Sequence, residues 1–182
     1  MIAARRRAVP PGVAEAAGRM VAAQILTAPE ALAARRVGLY AALPDELPTR
    51  FCFESLRRRG RECLFPRSED DGRLRFHRVA AWDELVRGRF GVLEPRAGAA
   101  EAVPGPGDLV LVPGIAFDAG GHRLGRGGGR YDAAFPPGAA GPPLLFGIGY
   151  EFQVVDALPH GSRDRRMDAI VTERTIRRVQ GA

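Results

Sequence analysis

The chain has 182 residues and no lysine; all 27 of its basic residues are arginine. That absence excludes a phosphate loop of the Gly-x4-Gly-Lys-Ser/Thr type. Any cation that meets an anion here is a guanidinium or the amino terminus, and the planar fork of arginine can bind two oxygens at once. The 21 acidic residues leave a net charge of +6. With 23 glycines, 15 prolines and many alanines, the arginine excess reads as the bias of a GC-rich genome, so the count alone says little about nucleic acid. Aromatics are scarce at 7%, and acids are interspersed among the arginines, which argues against a basic surface with stacking rings. No apolar run approaches the ~18 residues of a membrane span. The basic start Met1–Arg7 is not followed by an apolar signal region, so a cytoplasmic protein is expected. Cys52 and Cys63 fall in an expected helix and an expected strand, where free buried thiols are the better reading than a disulfide.

What remains is ordinary globular composition, 46% hydrophobic and 26% charged, in a length that suits a single domain over residues 1–182. Apolar residues at helical spacing predict a helix over Val13–Leu26, extended or followed by Ala31–Arg36. Val37–Tyr40 reads as a strand and Thr49–Arg59 as a helix, with Pro48 at its start and Gly60 as its stop. Arg61–Phe65 is the next strand, closed by Pro66, then Leu74–Val79. Trp82–Arg87 is expected to make one or two helical turns. Phe90–Pro95 leads through a Gly/Ala/Pro-rich surface loop to Asp108–Pro113, the clearest buried strand. Pro142–Gly149 and a last strand Ala169–Val171 complete the series. This rhythm predicts an α/β fold with a mostly parallel central sheet flanked by helices in a Rossmann-like, three-layer arrangement.

The chemistry concentrates in one stretch, where a strand runs through Val112–Asp118 into Arg123-Leu124-Gly125-Arg126-Gly127-Gly128-Gly129-Arg130-Tyr131-Asp132. Glycines let backbone N–H groups approach an anion, and the helix expected near Tyr131–Phe135 would add partial positive charge. Arg123, Arg126 and Arg130 add full charges. The pattern is not a dinucleotide fingerprint, which would need glycine at Arg130. Two readings stay open on these residues alone: a polyphosphate cradle, or an Arg/Gly-rich surface turn. Asp132 at the loop's end and Asp168 before the last strand could ligate Mg²⁺ together with phosphates; Asp168 taken by itself reads as a cap or a solvated charge rather than a ligand.

These segments in order resemble the 5-formyltetrahydrofolate cyclo-ligases (5,10-methenyltetrahydrofolate synthetases). The likeness runs from about Arg35 to Glu173 through Asp45-Glu46-Leu47-Pro48-Thr49, Phe65-Pro66-Arg67, Phe90–Pro95, the Gly-rich segment, Gly149–Gln153 and Asp168–Glu173. It implies an enzyme, a monomer, that uses ATP and Mg²⁺ to close 5-formyltetrahydrofolate to the 5,10-methenyl form. By the same resemblance Arg123–Tyr131, with Leu124, Gly125, Gly127, Gly128 and Gly129, would cradle ATP. Arg126 would be catalytic at the transferred phosphate, and Asp132 and Asp168 would hold the metal. Glu46, Phe90, Arg126 and Arg130 would meet the folate. Without the resemblance, Glu46 reads as an exposed carboxylate heading the Pro48 helix, and Phe90 as core. Tyr150 and Trp82 are taken as packing residues. Gly128 stands where many members carry lysine, and Arg130 replaces a usual aromatic. The family's first helix carries a Lys/Arg pair toward the phosphates, where this chain offers Arg5-Arg6-Arg7. A paralogue that binds nucleotide without folate chemistry is the alternative.

Overall fold

The computed structural model describes residues 1–88 and 91–180. The chain opens with α1 (Ile2–Arg7), α2 (Pro11–Ile25) and α3 (Pro29–Ala33), then β1 (Arg36–Gly38), α4 (Arg50–Arg58), β2 (Glu62–Ser68) and β3 (Leu74–Val79). A 3₁₀ turn at Trp82–Glu84 leads into β4 (Leu85–Arg87) and β5 (Leu93–Pro95), which form a two-stranded ribbon. There follow β6 (Leu109–Pro113), β7 (Ala116–Asp118), β8 (Arg123–Leu124), α5 (Arg130–Ala134), β9 (Leu144–Ile148), β10 (Val154–Val155), β11 (Ala169–Val171) and β12 (Ile176–Arg178).

Seven strands form the central sheet in the order β12-β11-β9-β6-β1-β2-β3. The inner five are mutually parallel, and an antiparallel strand closes each edge. Alternation along each strand divides the interior into two cores. Val37, Cys63, Leu109, Leu111, Phe146 and Val171 face α2, α3 and α4. Their neighbours Leu64, Val110, Val112, Leu145 and Ile170 face Phe117, Phe135 and Met167. The expected α/β sandwich is therefore present. Its second face, however, is covered by the small β10-β7-β8 sheet and the short α5 rather than by long helices.

Two local differences from the sequence reading have plain causes. Strand β2 does not stop at Pro66 but continues to Ser68, because beyond Leu64 it pairs only with β3. A proline is tolerated where one side of the strand needs no N–H donor. Residues 85–87 extend as β4 rather than coil, since pairing with β5 outweighs a weak helical preference. Trp82 packs as expected, edge-on to Phe53 and Phe65 at 5.6 and 5.7 Å.

Parallel strands open their carboxyl ends to one side of the sheet. From β1 the chain moves outward to β2, then crosses back to place β6 on β1's other flank. Between β1 and β6 lies the reversal of strand order at which open α/β sheets hold ligands.

Candidate active site

At that reversal a cleft of ≈ 580 Å³ opens, walled by the end of β2 (Ser68) and by segments that follow β1 (Tyr40, Ala41, Leu43, Glu46) and β6 (Gly114, Ile115). The whole run Arg123–Asp132 forms one side of it. The loop after β1 is held by two hydrogen bonds across its neck. The Tyr40 hydroxyl donates to the Leu47 carbonyl at 3.0 Å, and the buried Thr49 hydroxyl donates to the Tyr40 carbonyl. Asp45 and Glu46 are thereby fixed at the mouth.

The Gly-rich loop is aimed by Phe117. Its ring is fully buried in a seat of three glycines: a Cβ at Gly114 or Gly147 would stand 2.5 Å from a ring carbon, and one at Gly149 3.1 Å. Only hydrogen at these positions lets the β7–β8 hairpin lie so close to the ends of β6 and β9. Beyond β8 the loop turns through Gly127 at φ +88° and Gly129 at φ +57°, and α5 starts at Arg130. Among the described residues, the amides of residues 125–128 donate to no protein acceptor, so they are available to an anion.

Four guanidinium groups line the cleft. Arg123 is 93% buried; its Nη2 donates to Asp132 Oδ2 at 2.9 Å and its Nε has no hydrogen-bond partner. Arg126 is half exposed and pairs with Asp45 Oδ1 at 2.6 Å and Glu46 Oε1 at 3.4 Å. Arg130 Nη1 donates to the Ser68 hydroxyl at 2.8 Å. The fourth, Arg6, comes from α1 and is one of the run Arg5-Arg6-Arg7 that the sequence offers in place of the family's basic pair. Its side chain is 2% exposed, and it donates to the carbonyls of Asp45 at 2.9 Å and Gly114 at 3.2 Å. Its Nη2 stands 3.1 Å from Asp45 Oδ2 and 3.8 Å from Glu46 Oε1 without a directed hydrogen bond. Buried guanidinium nitrogens are costly unless satisfied, and both of these lie in the cleft wall. Arg5, on the other side of α1, stacks over Phe152 at 4.3 Å and fastens the helix. Tyr150 packs parallel to the same ring at 5.3 Å.

The cleft is also lined by the apolar Leu74, Val92 and Leu93 and by two acids, Glu46 and Glu94. Glu46 is only 10% exposed, not the solvated helix-heading carboxylate that spacing alone allows; its Oε2 accepts from the Leu43 N–H at 3.0 Å. Glu94, 6% exposed, was likewise unassigned from sequence although it sits in the Phe90–Pro95 segment. Phe90 itself lies outside the described residues. Burial, with the nearby charge of Glu46, holds the Tyr131 phenol well above the ordinary tyrosine range, so it is neutral here.

The two aspartates expected at a metal flank Arg165. Its backbone N–H donates to Asp132 Oδ1 at 3.2 Å, and its guanidinium reaches Asp168 Oδ2 at 3.5 Å. Asp132 lines the cleft; Asp168 does not, and accepts from the Leu145 N–H at 2.7 Å. Among the described residues no three His, Cys, Asp or Glu side chains gather into a metal cage. Asp132 nevertheless fits Mg²⁺, which favours one or two carboxylates plus substrate phosphates and water over an all-protein cage.

A mostly parallel sheet with loop amides and buried guanidiniums at its reversal point makes this an α/β protein with a cleft suited to an anion. Comparison with known proteins narrows this class. The chain belongs to the 5-formyltetrahydrofolate cyclo-ligase family, whose model matches residues 1–173. It is 31% identical over 175 residues to the 5-formyltetrahydrofolate cyclo-ligase of Escherichia coli (strain K12), covering 94% of this chain and 96% of that one. The Mus musculus cyclo-ligase is 24% identical over 76% of this chain and 73% of its own length. Among solved structures, the 5,10-methenyltetrahydrofolate synthetase of Aquifex aeolicus superposes with a TM-score of 0.83 at 28% identity. That match covers 100% of this chain and 90% of the other. The Mycoplasma pneumoniae synthetase, at 19% identity and a TM-score of 0.72, covers 94% of each chain and shares the fold. The chain is accordingly a cyclo-ligase-type enzyme of folate one-carbon metabolism.

Proposed function

We propose that residues 1–182 act as one catalytic unit that converts 5-formyltetrahydrofolate and ATP to 5,10-methenyltetrahydrofolate, ADP and phosphate. The observation that carries this reading is the mixed lining of a single cleft. It gathers the 125–128 loop amides and Arg6, Arg123, Arg126 and Arg130 with the apolar Leu74, Val92 and Leu93 and the acids Glu46 and Glu94. The amides and guanidiniums suit a triphosphate, and the apolar surface with its acids suits a flat, donor-rich pterin, so one cleft can bring the formyl group to the γ-phosphate.

In the reaction implied by family membership, the formyl oxygen attacks the γ-phosphorus and ADP leaves, giving an iminophosphate. N10 then attacks the same carbon; its proton and the phosphate depart as the ring closes. Such a transfer asks the protein chiefly for alignment and for positive charge around the moving group. Arg123, locked by Asp132, and Arg6, locked by Asp45, are fixed charges, whereas Arg126 is placed on the loop to follow the phosphate. Asp132 is the side chain we assign to Mg²⁺, which would supply positive charge beside the phosphates; Asp168, away from the cleft, would steady Arg165 behind it. Glu46 is positioned to accept hydrogen bonds from the pterin. The buried thiols Cys52 and Cys63 fit a reducing cytosol, and no helix among the described residues is long and apolar enough to cross a membrane.

Mixing the protein with 5-formyltetrahydrofolate, ATP and Mg²⁺ is expected to raise the near-ultraviolet absorbance of the methenyl product, with one phosphate released per product. Asp132→Asn, which removes a charge but keeps the shape, is expected to lower kcat by about 100-fold or more. A folded sample that binds ATP but forms no product would replace this reading with a nucleotide-binding paralogue.

A further inference from the structure

The charge network at the cleft mouth carries an inference about Asp45 that rests on the assignment of ATP to the Gly-rich loop. Asp45 divides its carboxylate between two arginines. Oδ1 lies 2.6 Å from Arg126 Nη2, and Oδ2 lies 3.1 Å from Arg6 Nη2. The two cations differ in freedom. Arg6 is 2% exposed and tied to two backbone carbonyls, whereas Arg126 is 50% exposed and held only through side chains. Arg126 is followed by Gly127, in the left-handed region at φ +88° with open space around it. Half exposed and held only by carboxylates, Arg126 can be re-aimed, while Arg6 stays on its two carbonyls.

A guanidinium edge that grips a carboxylate cannot at the same moment grip a phosphate. Arg126 commits its Nε and Nη2 to Glu46 and Asp45, so a phosphate that takes this edge must displace the carboxylates from it. If Arg126 swings to the nucleotide, Asp45 keeps Arg6 and is not left as an unpaired acid, so the exchange avoids the usual penalty of breaking a sheltered ion pair. Glu46 offers Arg126 a second, longer contact at 3.4 Å in the same direction.

We propose that Asp45 is a positioning residue that acts through Arg126, holding this guanidinium at the mouth of the cleft in competition with nucleotide phosphate. Affinity for ATP is then a difference between two ion pairs.

The test is a double-mutant cycle on ATP binding, measured by titration calorimetry with no folate present so that nothing turns over. R126Q is expected to weaken ATP about tenfold, as loss of a charge-assisted contact does. D45N is expected to tighten ATP by about threefold or more, and to change it by less than about 1.5-fold in the R126Q background. Equal tightening in both backgrounds would mean that Asp45 acts only as a distant negative charge, and weaker binding by D45N would mean that it supports rather than competes; either overturns the proposal. Wild type that fails to bind ATP, or R126Q that binds as well as wild type, overturns the loop assignment and this inference with it. If D45N does not fold, E46Q leaves the Arg6–Asp45 pair intact and removes the second acceptor. The same cycle should then show a smaller tightening confined to the Arg126 background, and its absence overturns the proposal.

Discussion

Arg6 illustrates what a side chain can hide in a sequence. It stands in a run of three arginines, and arginine is among the residues least often buried, so nothing local separates it from Arg5 and Arg7. Its partners Asp45 and Gly114 are 39 and 108 residues away. The glycines and arginines of 123–131 were legible because their meaning is local: a loop of small residues between a strand and a helix start. Glu46 was legible only through the resemblance, and Glu94 was not read, since a lone carboxylate shows its burial only once both walls of the cleft are assembled. Asp45, part of the Asp45–Thr49 segment, has no role legible in sequence, because its two cations come from the first helix and from a loop more than 80 residues away. At this scale Arg6→Gln is expected to lower kcat/KM for ATP by about 10- to 100-fold, the range for a charge-assisted contact of about 1.5–3 kcal/mol. Steady-state kinetics beside a circular-dichroism spectrum check this; unchanged kcat/KM would remove Arg6 from the phosphate half of the site.

At the scale of elements, the helices and buried strands followed from periodicity, and Leu74–Val79 has the bounds its alternation implied. Several elements did not follow, and three of the cases show why. Helix α1 is too short to show a repeat and is fixed from outside, by Arg6 in the cleft and Arg5 on Phe152. Strand β12 carries two arginines in three residues and exists because Thr172 organises the turn before it. The Thr172 hydroxyl accepts from the N–H groups of Arg174 at 3.2 Å and Thr175 at 3.3 Å, which returns the chain along β11. The β7–β8 hairpin depends on a seat that no local pattern reveals, because Gly114, Gly147 and Gly149 meet Phe117 only in the folded sheet. Gly147→Ala would place a methyl 2.5 Å from that ring. Overpacking of this kind costs about 1–3 kcal/mol, or a Tm lower by about 3–10 °C for a chain of this size. ATP binding should weaken with it, because the displaced hairpin carries Arg123. Calorimetric melting and an ATP titration on one sample measure both; a lower Tm with unchanged ATP affinity would separate the seat from the site.

For the molecule as a whole, the α/β class was readable but the strand order was not, since the return from β2 to the far side of β1 is set by which faces bury best. That order places the cleft. The two cores also make a pH prediction. Burial pushes both the Cys52 and the Cys63 thiols up to about 12. Below about pH 9 the thiols are neutral in folded and unfolded chains alike, and the native state keeps its full stability. Between pH 9 and 12 the unfolded chain ionises them and the native chain does not. Stability should therefore fall as pH rises, by on the order of 1 kcal/mol per thiol per pH unit, with buried Tyr40 and Tyr131 adding to the loss above pH 10. Denaturant titrations from pH 8 to 11 on wild type and on Cys52→Ala/Cys63→Ala should show the slope reduced in the double variant. An equal slope would mean that the thiols are not the source.

The central claim is that the triphosphate lies on the loop at the sheet's reversal point, gripped by backbone amides and by arginines from the first helix and from the loop itself. Hydrogen exchange of the amides, with and without ATP and Mg²⁺, addresses it most directly. Residues 125–129 and the segment around Arg6 should gain protection together when ATP is added. Unchanged exchange in that loop, or protection confined to the apolar groove between α1, α2 and Phe152, would contradict it.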